Sequence, residues 1–70
     1  MKITIKIIQE NLYLLTDRES RILISRLGLF DNKSNTLKEC SNIFNISKSR
    51  IHQIESKALM KIYRKIKLYA

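Results

Sequence analysis

The last third of the chain repeats apolar residues at the spacing of an α-helix. Successive members lie three, four, four and four residues apart, and they are Ile51, Ile54, Ala58, Ile62 and Ile66. Because an α-helix turns once every ~3.6 residues, these side chains share one face, which another part of the chain must cover. The spacing therefore predicts a long amphipathic helix over about residues 48–67.

The composition indicates that the covering elements are helices too. The 70 residues include no proline and one glycine, Gly28, whereas sheet-rich folds place such turn residues every few positions. Hydrophobic residues make up 44% of the chain, which is sufficient for a compact core. We therefore expect one all-α domain spanning residues 1–70.

The first segment carries two competing patterns. Isoleucines alternate with polar residues over residues 3–7, as in a strand. Helical spacing of three, four and three residues instead joins Ile5, Ile8, Leu12 and Leu15. No other segment alternates clearly enough to pair with a lone strand, so we predict a helix over about residues 4–14.

Two further helices begin with capping signals. Thr16 followed by Glu19, and Thr36 followed by Glu39, fit the capping box. In this motif the threonine hydroxyl and the glutamate carboxylate each accept a backbone N–H that the first helical turn leaves without a partner. Both sites therefore predict a helix that begins at the next residue.

Both of these helices also have signals for their ends. Gly28 and Asn45 tolerate the left-handed backbone that commonly ends a helix, which gives helices over about residues 17–27 and 37–44 with a loop between them. The apolar residues expected to face inward are Ile22, Leu23 and Leu27 in the first, and Leu37, Cys40, Ile43 and Phe44 in the second.

A tight turn separates the short helix over residues 37–44 from the long last helix, for which Ser47 is a suitable N-cap. This is the layout of a helix-turn-helix, whose second helix enters the DNA major groove. At ~100° per residue, the polar side chains on the arc opposite the apolar face are Lys48, Ser49, His52, Gln53 and Ser56. The pattern favours a small four-helix domain with a helix-turn-helix and no wing over a plain helical bundle.

The basic charge is concentrated at the C-terminal end. The net charge is +8, and residues 46–70 contain seven Lys or Arg against Glu55 alone, whereas residues 1–45 contain seven against five acidic residues. Such a surface is typical of nucleic-acid binding, although simple solubility explains it too. A third interpretation is a membrane-surface helix, for which the basic residues would be Lys61, Arg64, Lys65 and Lys67.

Catalysis and metal binding are not expected. His52 is the only histidine and has no cysteine or carboxylate at ligand spacing, which argues against a metal site. Cys40 lies in an apolar stripe, as expected for core packing. The serines lack a triad partner, which a serine nucleophile needs as its base. Glu55 is a candidate salt-bridge partner for neighbouring basic residues. No run approaches the ~18 apolar residues of a membrane span, so we expect a cytoplasmic domain. No cofactor or metal is expected either.

Four segments resemble region 4 of bacterial RNA polymerase sigma factors, most closely the primary class. Residues 15–19 read L-T-D-R-E, residues 26–28 R-L-G, residues 36–39 T-L-K-E and residues 50–59 R-I-H-Q-I-E-S-K-A-L. The family motifs are L-T-x-R-E, R-x-G, T-L-E-E and R-I-R-Q-I-E-x-K-A-L. The resemblance covers about residues 12–64, and the last string is its most specific part.

The resemblance implies a DNA-binding function and assigns residues to it. Region 4 binds the promoter −35 element as double-stranded DNA while docked on the flap of the polymerase β subunit. Together with the arc described above, it implies base reading by Lys48, Ser49, His52 and Gln53. Phosphate contacts are expected from Arg18, Arg26, Thr36, Leu37, Lys38, Arg50 and Lys57. For the flap, we expect an apolar groove on the helices before residue 36 that uses residues among Ile5, Ile8, Leu12, Ile22 and Leu29. Membership of the ordinary core is an equally good interpretation for any single one of them.

The readout expected from these residues follows from their chemistry. Gln53 can pair with adenine N6 and N7 together, and Lys48 can donate to guanine O6 and N7. Arg50, on the flank, is expected to contact phosphate and to contribute affinity without specificity. The family usually has Glu where this chain has Ser49 and Arg where it has His52, so the resemblance implies the binding mode rather than the usual −35 sequence.

The family's other working parts do not fit into 70 residues. A sigma factor also grips the polymerase clamp and melts the −10 element, which needs a further region. The chain is therefore expected to be either an excised domain or a free-standing small sigma-like protein, and Met1 favours a natural start. An alternative function is an interaction module or regulator that binds an anti-sigma factor, an activator or the polymerase. The resemblance implies that the protein works in a bacterial, phage-infected or organelle-type transcription compartment.

Overall fold

The computed structural model describes residues 4–69, with side chains over residues 4–67. Its elements are the helices α1 (Ile5–Glu10), α2 (Asp17–Leu27), α3 (Leu37–Phe44) and α4 (Lys48–Tyr69), and a short 3₁₀ turn over Leu12–Leu14 between α1 and α2. No strand occurs within residues 4–69. The predicted all-α, four-helix fold with a helix-turn-helix is confirmed.

The first helix is shorter than predicted. Instead of running over residues 4–14, α1 ends at Glu10, and Asn11 adopts a non-helical backbone. The Asn11 side-chain amide donates to the Ile7 carbonyl at 2.7 Å, and its backbone N–H bonds to the Ile8 carbonyl. Asparagine side chains compete with the helical backbone in this way, which ends α1 and leaves only the 3₁₀ turn beyond it.

Both predicted capping boxes are present. The Thr16 hydroxyl accepts the Glu19 N–H at 3.2 Å, and the Glu19 carboxylate accepts the Thr16 N–H at 2.9 Å. Thr36 and Glu39 repeat the arrangement at 3.1 and 2.8 Å. The starts of α2 and α3 are therefore set by hydrogen bonds between residues three positions apart.

The ends of α2 and α3 also follow the sequence signals. Gly28 has φ +61° and Asn45 has φ +56°, so both lie in the left-handed region. A Cβ on Gly28 would stand 2.7 Å from backbone atoms of Lys33, closer than side chains approach. Gly28 is thus required both for its backbone conformation and for the close approach of the α2–α3 loop.

The core has two parts, and α4 runs through both. Near the middle of α4 the buried residues are Ile8, Leu23, Leu29, Ala58 and Ile62. Around the start of α4 they are Ile22, Cys40, Ile51 and Ile54. The predicted apolar face of α4 is therefore confirmed, and it holds the N-terminal half of the helix against α2 and α3.

One residue that was predicted to face inward is exposed instead. Ile43 is 60% exposed; Ile5, which was expected to line a surface groove, is 53% exposed. The packed stripe of α3 runs through Leu37, Cys40 and Phe44, and Ile43 lies ~100° away from Phe44 around the helix, outside that stripe. For α1, the face that packs centres on Ile8, which belongs to the core.

None of the helices described is long and apolar enough to cross a membrane.

Candidate nucleic-acid interface

The turn before α4 is built from local hydrogen bonds. The Ser47 hydroxyl accepts the Arg50 N–H at 3.1 Å, as expected for the N-cap of α4. On the other side of the turn, the Ile46 N–H bonds to the Ser41 carbonyl at 3.2 Å, and the Ser41 hydroxyl donates to the Ile46 carbonyl. The start of α4 is therefore held at a defined position relative to α3.

The four residues predicted to read bases lie on one accessible face. Lys48, Ser49, His52 and Gln53 are all exposed. They occupy the first two turns of α4, where the buried Ile51 supports the helix from the opposite side. The start of α4 thus presents hydrogen-bond donors and acceptors on side chains that fit a major groove. None of the other described residues buries this face.

Three of the residues predicted to contact phosphate line a single cleft with Gln53. Arg18 comes from the first turn of α2, and Arg50 and Lys57 come from α4. The cleft has a volume of about 180 Å³ and is bounded also by Thr16 and Glu19. Three cations beside the recognition face suit an anionic backbone that passes over this edge of α4.

Arg26 is placed differently from the other predicted phosphate contacts. Its Nη1 donates to the Asn35 carbonyl at 2.7 Å and its Nε to Glu55 Oε2 at 3.4 Å. Only 25% of its side chain is exposed. The structure therefore does not bring Arg26 to the cationic cleft, because the guanidinium joins the end of α2 to the loop before α3 and to α4.

The start of α3 supplies the remaining predicted phosphate contacts. Thr36 and Lys38 are exposed, whereas Leu37 is half-buried against the core. The Thr36 hydroxyl already accepts the Glu39 N–H, so its oxygen serves the cap. Lys38 presents the charge at this end of α3.

Glu55, the single acidic residue of α4, is buried beside Arg26 and His52. The residue is 9% exposed, and its Oε2 atom lies 3.4 Å from Arg26 Nε and 3.9 Å from His52 Nδ1. A salt bridge for Glu55 was expected from neighbouring residues, but its main partner is on α2, 29 positions earlier. Burial of a carboxylate is tolerated when it is paired in this way.

A second buried carboxylate, that of Glu19, joins the start of α2 to α4. Glu19 accepts Lys61 Nζ at 2.7 Å in addition to its capping bond from Thr16. Burial raises the pKa of Glu19. The hydrogen bonds from Lys61 and Thr16 and the positive charge of Lys61 together lower it by more than burial raises it, so the pKa of Glu19 lies below the usual 4.5. The capping residue of α2 therefore also fastens α4.

Acid should weaken the fold through the two capping carboxylates. The hydrogen bonds from Thr36 hold the pKa of Glu39 below 4.5 as well. A lowered native pKa stabilises the fold above the unfolded-state pKa and loses that contribution as the pH falls through the native value. We expect the unfolding free energy to be level above about pH 5.5 and to fall below pH 4.5, measured by urea titration at each pH. Glu19→Gln should flatten this fall, and an unchanged profile in Glu19→Gln would contradict the assignment.

The residues predicted for an apolar docking groove are only partly available. Ile22 is 0% exposed and Leu29 is 3% exposed, so their assignment to a surface groove is wrong: both fill the core. Leu12 is half-buried and Ile5 is exposed. An open apolar groove of about 630 Å³ does exist, and its lining is Ile8, Leu27, Ser56, Leu59, Met60 and Tyr63.

Sequence reasoning missed the contribution of α4 to this groove. Met60 and Tyr63 are 49% and 45% exposed and lie one turn apart. Their spacing of three residues was the available signal, but two apolar residues three positions apart are equally typical of a core face.

The family comparison agrees with this geometry. The family model described as Sigma-70, region 4 matches residues 12–64, which is most of the chain. The matched range includes α2, α3, the turn and the recognition face of α4. The chain belongs to the sigma-70 region 4 family, the helix-turn-helix DNA-binding region of sigma factors.

Proposed function

We propose that this domain binds promoter DNA of the −35 type in the major groove and acts together with RNA polymerase, as a sigma factor domain or as a small sigma-like initiation factor. The observation that carries the proposal is the exposed face formed by Lys48, Ser49, His52 and Gln53 at the start of a supported α4. Non-catalytic DNA recognition needs only such a face and cations beside it. A bacterial, phage-infected or organellar transcription compartment is where such a domain would work.

The cationic cleft supplies the electrostatic part of this function. Arg18, Arg50 and Lys57 line one edge of the recognition face, so a DNA strand that runs past α4 meets all three. Phosphate contacts orient a protein on DNA and dominate its affinity, while base contacts provide its specificity. The domain therefore contains both kinds of contact on neighbouring surfaces.

DNA binding should weaken steeply as salt is added. Each phosphate contact contributes about −0.9 to the slope of log K against log salt, so three to five contacts by the cleft and the neighbouring lysines give roughly −3 to −5. Fluorescence anisotropy with a labelled duplex over a range of salt concentrations measures the slope.

Two lysines of α4 provide a matched comparison for the salt dependence. Lys57 lines the cleft, whereas Lys67 is exposed in the last turns of α4, about 15 Å farther along the helix at 1.5 Å per residue. Lys57→Ala should reduce the slope by about one unit, and Lys67→Ala should leave it unchanged. Binding that does not depend on salt, or no binding at low salt, would refute the proposed DNA interaction.

The apolar groove supports the proposed contact with polymerase. It lies between α1, α2 and α4, with Met60 and Tyr63 as its exposed apolar members. An element such as the β flap, inserted into this groove, would cover apolar surface that the domain otherwise exposes. On α4 the groove begins at Ser56, one turn beyond His52 and Gln53, and continues towards the C-terminal end of the helix.

A charge placed in the groove should abolish flap binding. Met60→Glu puts a carboxylate among apolar side chains without disturbing a fully buried residue, so we expect at least about a tenfold loss of retention by an immobilised β flap. Ile43→Glu is the matched control, because Ile43 is also an exposed apolar residue but lies on α3, outside the groove lining. If the folded wild-type domain is not retained, or if both variants bind equally well, flap docking through this groove is refuted.

The same groove also favours one alternative function. An interaction module that binds an anti-sigma factor or an activator would use an exposed apolar surface and would not need the base-reading face. Wild-type protein that binds such a partner through the groove but shows no affinity for duplex DNA would favour this alternative over promoter recognition.

A further inference from the structure

A hydrogen bond joins a predicted phosphate contact to a predicted base reader. Arg50 Nη1 donates to Gln53 Oε1 at 3.4 Å, one helical turn apart on the exposed side of α4. Both side chains line the same cleft as Arg18 and Lys57. The two residues are therefore not independent, although the sequence suggested separate roles for them.

The hydrogen bond determines which way the Gln53 amide faces. A glutamine amide has an acceptor oxygen and a donor NH₂ group, and adenine recognition requires both in the correct order. With Oε1 directed to Arg50, Nε2 occupies the opposite end of the amide. The carbonyl oxygen retains a second lone pair, so it can still accept a hydrogen bond from a base.

Arg50 has enough donors to serve a phosphate at the same time. A guanidinium presents five N–H groups in a rigid plane, so one can donate to Gln53 while others face the cleft. Lysine keeps the charge but lacks this planar set of donors. The distinction makes the arginine, rather than a positive charge alone, the important feature of this position.

Resting on the proposed function, we propose that Arg50 is a positioning residue for base recognition: it holds the Gln53 amide in its reading orientation while it contacts the DNA backbone. Arg50 then contributes to specificity, in contrast to the purely electrostatic role that its sequence position suggests. Fixing a flexible side chain before binding removes an ordering cost that otherwise reduces affinity for the correct site.

The test compares Arg50→Lys with wild type on two duplexes, one selected by the wild-type domain from a randomised pool and one a scrambled version of it. Arg50→Lys should retain the salt slope, because the charge remains, and any change in its phosphate contact should affect the two duplexes alike. Its preference for the selected duplex should fall roughly 2- to 12-fold, the range expected for one side chain that is no longer held in place. In the Gln53→Ala background, the same change should leave the preference unaltered.

Lys57→Ala is the matched control from the same cleft, and it should weaken both duplexes alike. A measurement without DNA separates this inference from the proposed function: the side-chain NH₂ resonances of Gln53 in the free domain should shift in Arg50→Lys and stay in place in Lys57→Ala. An unchanged preference in Arg50→Lys, or unchanged Gln53 resonances, would overturn the positioning role while DNA binding by the wild type still stands. Wild-type protein without sequence preference would overturn base reading itself.

Discussion

Ile51→Ala should reduce the unfolding free energy of the domain by about 2–5 kcal/mol. Ile51 lies in the first turn of α4, is 0% exposed, and belongs to the core cluster with Ile22 of α2 and Cys40 of α3. Shortening it removes buried apolar surface and leaves a cavity at the point where the three helices meet. Ile51 therefore supports the exposed face of α4 from the opposite side of the helix and is also a central residue of the hydrophobic core.

The size of this effect relative to the whole stability makes it easy to measure. At about 0.05–0.15 kcal/mol per residue, a domain of this length has roughly 4–10 kcal/mol in total, so the variant should be partly unfolded near body temperature. Thermal and urea denaturation followed by circular dichroism measure the loss. Ile43→Ala, the same substitution at a residue that is 60% exposed on α3, should change stability by no more than about 0.5 kcal/mol. Equal losses in the two variants would contradict the described core.

Gln53→Ala should cost about 1–3 kcal/mol of binding free energy on the selected duplex and little on scrambled DNA. Gln53 is exposed in the second turn of α4, where its amide can offer a donor and an acceptor to adenine together. Scrambled DNA is held mainly through phosphates, which Gln53 does not neutralise. The loss should therefore appear as reduced sequence preference.

Anisotropy titrations of wild type, Gln53→Ala and Lys57→Ala on both duplexes test this expectation. Lys57→Ala should weaken the two duplexes to the same degree, because it removes a charge near the backbone. If Gln53→Ala also weakens both duplexes equally, the start of α4 does not read bases through this residue.

The parts of the fold that were predictable are those determined by residues close in sequence. A capping box involves two residues three apart, and the bounds of α2 and α3 follow from Thr16, Thr36, Gly28 and Asn45 with little influence from the rest of the chain. The inward face of α4 was equally predictable, because a sustained helical spacing has few other interpretations.

The parts that were not predictable depend on a competing local hydrogen bond in one case and on distant groups in the other. Asn11 ends α1 because its side chain bonds to the Ile7 carbonyl, whereas the apolar spacing alone continued the helix to residue 14. The sequence of α3 permits Ile43 to face inward, and only the position of the neighbouring helices leaves it outside. The second outcome therefore required the three-dimensional arrangement.

The candidate site likewise has parts that could be predicted from the sequence and parts that could not. The exposed face of α4 follows from helical geometry once its buried face is known. The pairing of Arg26 with Glu55, and of Lys61 with Glu19, joins residues 29 and 42 positions apart, and no sequence pattern specifies either pair. The apolar groove combines residues of α1, α2 and α4, a combination that no single segment of the sequence indicates. Ile22 and Leu29 were therefore assigned to it in error, and Met60 and Tyr63 were not assigned to it.

Comparing the wild-type domain on its selected duplex with the scrambled duplex, at one moderate salt concentration, tests sequence-specific recognition most directly. A single bidentate base contact is worth about 1–3 kcal/mol, so we expect enrichment of one sequence from the randomised pool and a preference on the order of tenfold or more. Failure to enrich any sequence, or equal dissociation constants for the two duplexes, would contradict the account that α4 reads DNA bases.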